Sequence, residues 1–127
     1  MDKKIIKTQK APKCIGPYSQ AVKSGNFIFI SGQIPLDPIS GNMEENDIRI
    51  QTQRVMENIK GILESENLNM TNIIKTTCFL TDMSNFASFN EIYANYFSNN
   101  PPARSTVAIN SLPKDALVEI EVIAVIN

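Results

Sequence analysis

Histidine is absent from the 127 residues. That single gap excludes Ser-His-Asp and Cys-His nucleophile systems, His-ligated zinc, and any imidazole acting as general acid or base. Cysteine is scarce: Cys14 and Cys78 are the whole set. A four-cysteine metal site is therefore excluded, and the two settings, a proline-flanked loop and a β-type run, favour free thiols over a bridge. With 5 Gly, 7 Pro and 20% charged residues, disorder and low complexity are poor readings. Long apolar runs are missing too. The longest, 27–30 and 122–126, are far short of membrane length. The charged start, Met1-Asp2-Lys3-Lys4-Ile5-Ile6-Lys7, has no signal-length apolar run behind it. A cytoplasmic protein without membrane partners is expected, and its chemistry must come from Asp, Glu, Lys, Arg, Tyr, Ser, Thr, Cys or the backbone.

What is present is a hydrophobic fraction of 43% without repeat, linker or composition break, so a single domain over 1–127 with one core is expected. Twelve basic against thirteen acidic residues leave a net charge of −1. Lys3, Lys4, Lys7, Lys10 and Lys13 tint the first stretch basic, but no Arg or aromatics are interleaved, so nucleic acid is not the expected partner. The sequon Asn69-Met70-Thr71 would matter only in a secreted protein.

The hydrophobic period changes along the chain. Gly25-Asn26 is a turn leading into a β-rich run over 27–34, followed by a loop marked by Pro35, Pro38 and Gly41. From about Asp47, the residues Thr52, Val55, Met56, Ile59, Ile62 and Leu63 share one helical face, with Asp47 or Asn46 available as cap. Residues 73–81 read as a strand. A second helix is expected from about Asp82-Met83-Ser84, with Phe86, Phe89, Tyr93, Tyr96 and Phe97 on one stripe and Pro101-Pro102 as its end. Strands over 103–109 and 117–126, joined by the turn-like Ser111-Leu112-Pro113-Lys114-Asp115, complete an α+β layer with both helices on one sheet face.

The other sheet face is unusual. In the last strand Val118, Ile120, Val122, Ala124 and Ile126 point one way, and the alternate set is Leu117, Glu119, Glu121, Ile123 and Val125. Two carboxylates thus sit in an apolar row where polar residues are usual, and Phe27 to Ile30 are apolar on both faces. Two helices cannot cover both sides, so a homo-oligomer enclosing these acids is expected. Of three arginines, Arg49 and Arg54 fall on or near the polar side of the first helix and are expected to be solvated. Arg104 opens a strand and shares a face with Thr106 and Ala108. Its planar fork suits a small carboxylate, and a glutamate of the same sheet could act as base. The competing reading is a structural ion pair of Arg104 with Glu119 or Glu121.

Several segments together resemble the RidA family (reactive intermediate/imine deaminase A, also called YjgF-like). They are Ala11-Pro12 with Ile15-Gly16-Pro17-Tyr18-Ser19-Gln20, then Ser31-Gly32-Gln33-Ile34-Pro35, Lys75-Thr76-Thr77, Asn90-Glu91-Ile92-Tyr93, Pro102-Ala103-Arg104-Ser105-Thr106, and Leu112-Pro113-Lys114-Asp115 followed by Val118-Glu119-Ile120-Glu121-Val122-Ile123-Ala124. The resemblance implies a chorismate-mutase-like mixed sheet in a homotrimeric barrel, with active sites between subunits. It implies hydrolysis of 2-imino acids, released by pyridoxal-phosphate enzymes, to 2-keto acids and ammonia without metal or cofactor. Arg104 then matches the carboxylate grip and Glu119 the residue that positions water and handles the leaving nitrogen. Tyr18, Gly32 and Asn90 match cleft-lining positions. Thr106 stands where many members carry cysteine, so no thiol role transfers to it. Partial burial should raise the Glu119 pKa and Arg104 should lower it. Two other functions compete: a keto-acid-sensing module without turnover, and an RNA-acting translation inhibitor, which the missing histidine disfavours.

Overall fold

The computed structural model describes residues 2–126. Its elements are β1 (Lys4–Ile6), β2 (Ala21–Ser24), β3 (Phe27–Gln33), α1 (Ile48–Glu64), β4 (Ile73–Leu80), α2 (Phe86–Ala94), β5 (Ala103–Ala108) and β6 (Val118–Val125). Six strands form one mixed sheet in the order β1-β2-β3-β6-β4-β5, parallel only between β4 and β5. The α+β layer expected from the sequence is present, with short β1 and β2 added ahead of the Gly25-Asn26 turn.

Asp47 is the cap of α1. Its backbone is extended, and its carboxylate accepts hydrogen bonds from the Arg49 and Ile50 amides, satisfying two donors that the helix cannot. The stripe named from sequence is buried: with Thr52 beside them, Val55, Met56, Ile59, Ile62 and Leu63 share one core with Ile28, Ile30, Val118, Ile120, Val122 and Ala124 of the sheet. Phe89 and Tyr93 of α2 belong to the same core.

Two expectations need correction. The second helix begins only at Phe86, after a 3₁₀ turn at Met83–Asn85, and stops at Ala94, well before Pro101-Pro102. Tyr96 and Phe97 pack on the core from beyond its end, so aromatic spacing alone overstated its length. Nor are both helix arginines solvated: Arg49 is exposed as expected, although it reaches Glu91 of α2 at 2.6 Å, whereas Arg54 is held 3.0 Å from Glu44 with both side chains largely covered. Among the described residues, no helix is long and apolar enough to cross a membrane.

The N-terminal segment is docked as closely as the helices. Ala11 is buried, and a Cβ built on Gly61 of α1 would collide with the Lys10 carbonyl oxygen and lie 2.8 Å from its Cβ. Alanine here would gain about 1 kcal/mol of helix propensity. It would also force main chain apart, at a cost of about 1–3 kcal/mol or more. Because the obstacle is backbone, Gly61→Ala should lower stability by about 1 kcal/mol net, read by urea denaturation. An unchanged or raised midpoint would show that the segment does not pack on α1 this tightly.

Candidate functional site

Strand register divides the candidate residues. Arg104 is paired with Thr76 of β4, and Thr76 with Val122 of β6, so all three share the helix-covered face. Glu119, paired with Phe79, points the other way. Within one chain the guanidinium and the carboxylate therefore sit on opposite faces of the sheet. The ion pair of Arg104 with Glu119 or Glu121 is not formed: the salt bridges among the described residues join Lys4–Glu66, Lys10–Glu64, Arg49–Glu91 and Arg54–Glu44.

Arg104 is held by α2. Its Nη1 donates to Asn90 Oδ1 at 2.6 Å, and its Cζ stands 4.8 Å from the Tyr93 ring centroid, 5.5 Å from Phe86 and 5.9 Å from Phe89. These are cation–π distances, each worth about 0.5–1 kcal/mol where solvent reaches the pair and more where it does not. The fork is fixed in place while its charge remains without a carboxylate. Thr106, two residues on and on the same face, has a buried hydroxyl oxygen with no partner among the described residues. Its register partner Cys78 is fully buried, and burial pushes that thiol up to about 11, so Cys78 offers no thiolate in its place. Thus Arg104, Asn90 and Thr106 form one group. The aromatic backing from Phe86, Phe89 and Tyr93 reads in the sequence only as a core stripe.

Tyr18, Gly32 and Glu119 form the other group, around a cleft of about 400 Å³ also lined by Cys14, Gln33 and Lys114. Cys14, Gln33 and Lys114 were not singled out as site residues from sequence, because they meet here through the loop before β2, the register slip at the end of β3 and the turn before β6. The Tyr18 loop is shaped by Gln20, a buried amide whose Oε1 accepts from the Thr8 N–H at 2.7 Å and whose Nε2 donates to the Thr8, Ala11 and Pro12 carbonyls. At Cys14 burial raises the thiol pKa, opposed by Tyr18 and Lys7. Lys114 and Asp115 both adopt positive φ, 56° and 58°, in the turn that precedes β6. Non-glycine residues held there carry strain that the surrounding structure must offset.

Glu119 is half-buried. Burial raises its pKa above the ordinary carboxylate value, and the neighbouring Glu121 charge raises it further. The expected downward pull of Arg104 is missing within the chain because the sheet lies between them. The Glu119 carboxyl packs directly on Gly32, where β3 slips register against β6 between Ile30 and Gln33. A Cβ at Gly32 would fall 2.7 Å from Glu119 Cδ and closer still to Oε2. Only glycine leaves the carboxyl where it is. Since the obstructing group is a movable side-chain end, Gly32→Ala should fold with nearly wild-type stability yet displace Glu119 from its half-buried place, moving its titration, read by NMR, down toward the ordinary carboxylate range. An unchanged Glu119 titration in a folded Gly32→Ala protein would show that Gly32 does not set the carboxyl position.

The chain is similar to known proteins over nearly its whole length. The family model described as "Endoribonuclease L-PSP" matches residues 8–126. A RutC family protein of Pyrococcus horikoshii is 54% identical over 122 residues, covering 96% of this chain and 97% of that one. The chloroplastic Reactive Intermediate Deaminase A of Arabidopsis thaliana is 42% identical over 96% of this chain and 65% of its own length. Among solved structures, RidA from an Antarctic Psychrobacter superposes with a TM-score of 0.93 at 42% identity, covering 97% of this chain and 99% of that one. E. coli TdcF with bound serine gives 0.93 at 44%, covering 98% and 99%. Family match, identity and fold agree over nearly the full length: the chain belongs to the YjgF/RidA family, which includes reactive intermediate deaminases.

Proposed function

We propose that this protein is a 2-iminobutanoate/2-iminopropanoate deaminase, hydrolysing 2-imino acids to 2-keto acids and ammonia. In this reading it is a homotrimer whose sites join the Arg104 group of one subunit to the Glu119 group of the next. The observation that carries the reading is the division of the site: a braced arginine lacks a carboxylate partner among the described residues, while a half-buried glutamate of raised pKa lies on the far face. A second copy supplies the missing half of each. The outer sheet face supports the assembly, since Phe27 and Phe29 remain 44% and 46% exposed beside Ile123 and Val125. The relatives support the chemistry: one is named a reactive intermediate deaminase, and another holds serine, which carries a C2 nitrogen beside a carboxylate.

In the proposed mechanism Arg104 grips the substrate carboxylate through two parallel hydrogen bonds, and Thr106 presents its free hydroxyl to the same group. The imine carbon is then fixed beside a water held by Glu119. The substrate reacts as its N-protonated iminium. Glu119 takes a proton from that water as its oxygen bonds to C2 and the C=N π pair moves onto nitrogen, giving a neutral carbinolamine. Glu119 returns that proton to the nitrogen, the C–N bond breaks as the hydroxyl oxygen forms the keto C=O, and the hydroxyl proton passes through Glu119 to the departing ammonia. A carboxyl of raised pKa suits the first step, because its carboxylate is a stronger base toward the attacking water than an ordinary glutamate. Orientation and charge complementarity supply the acceleration, with no covalent bond between substrate and protein.

The test is keto-acid release from freshly generated 2-iminobutanoate, measured above spontaneous hydrolysis. Arg104→Ala should reduce kcat/KM roughly 100-fold through loss of the anchor. Glu119→Gln should keep binding but lower kcat by roughly 10²–10⁴. Keto-acid binding by the wild type without acceleration would replace this reading with a non-catalytic keto-acid-sensing module.

A further inference from the structure

We infer that Thr76 is a positioning residue for carboxylate recognition, acting on Arg104 through Tyr93. The inference deepens the proposed function and rests on its assignment of Arg104 as the carboxylate grip.

Arg104 sits on β5, an edge strand paired only with β4, and its long side chain must be aimed by something other than the sheet. Both groups that aim it belong to α2: Asn90 accepts from Nη1, and Tyr93, three residues on, lies beneath the guanidinium. α2 has only nine residues, so its own backbone gives it little independent rigidity. Among the described residues, two hydrogen bonds join α2 to the sheet. One is Arg104–Asn90 itself; the other is Thr76 Oγ1 to Tyr93 OH at 2.8 Å. Thr76 is 1% exposed on the central strand β4, bonded on both sides, and is the direct register partner of Arg104. Its hydroxyl is the fixed point against which Tyr93, and with it the Asn90 acceptor, is set relative to the arginine. The Tyr93 ring is also packed by Phe89 at 5.5 Å and Phe97 at 4.9 Å. Those contacts are apolar and hold the ring in the core without fixing its height along the helix axis.

The experiment compares Thr76→Val, Thr76→Ser, Tyr93→Phe, Arg104→Ala and the double variant Thr76→Val/Arg104→Ala in the full-length protein. Affinity for 2-oxobutanoate is read by calorimetry, alongside keto-acid release kinetics. Thr76→Val should weaken 2-oxobutanoate binding roughly five- to tenfold, with KM rising in parallel and kcat nearly unchanged. Tyr93→Phe removes the same hydrogen bond from the other side and should match it. Thr76→Ser should restore wild-type affinity, and Thr76→Val should add nothing once Arg104 is alanine. If Arg104→Ala abolishes binding while Thr76→Val and Tyr93→Phe leave it within twofold of wild type, the positioning role is wrong and the grip stands. An effect of Thr76→Val that persists undiminished without Arg104 would also overturn it. If Arg104→Ala itself leaves binding intact, the grip falls and the inference falls with it.

Discussion

A guanidinium partly withdrawn from water normally has a carboxylate beside it, because an uncompensated charge in low dielectric is costly. Arg104 has instead an amide oxygen and three aromatic faces. These fix its orientation and offset part of the desolvation, but leave the net charge unneutralised. That choice governs the rest of the site. A structural partner would occupy the fork; Asn90 occupies one nitrogen only. The opposite half shows the mirror condition, a glutamate packed on glycine with another acid nearby and its pKa raised by both burial and like charge. Each half holds a charge that the other would stabilise.

The sheet is what keeps them apart. β4 lies between β5 and β6, and strand parity sends Arg104 to the helix side and Glu119 to the outer side. In a single chain the two cannot cancel each other. In the proposed trimer the separation becomes useful, because each site closes only when two copies meet and substrate fills the fork. The apolar outer face of β3 and β6 supplies a reason for copies to meet at all.

Much of this was legible in the sequence. Asp47 followed by a 3.6-residue apolar period marked α1, and alternation in β6 separated Val118 and Ile120 from Glu119 and Glu121 before any fold was known. The pairing of Arg104 with Thr106 on one face followed from parity. What parity within single strands cannot reveal is which face of β5 matches which face of β6. That depends on the β4 register, and β4 itself carries a shift between Ile73 and Lys75. The length of α2 was also hidden, since Tyr96 and Phe97 bury against the core without being helical. Cys14, Gln33 and Lys114 came to the cleft through irregular backbone, for which the chain carries no period to read.

The composite site has a direct test in subunit mixing. Chains carrying Arg104→Ala and chains carrying Glu119→Gln are unfolded, combined in equal amounts and refolded together, with each variant refolded alone as control. If every site takes its arginine from one subunit and its glutamate from the neighbour, random assembly leaves about a quarter of the sites intact. The mixture should then recover about a quarter of wild-type keto-acid release, although each parent is nearly inactive. Activity in the mixture no greater than the mean of the two parents would contradict a site shared between subunits.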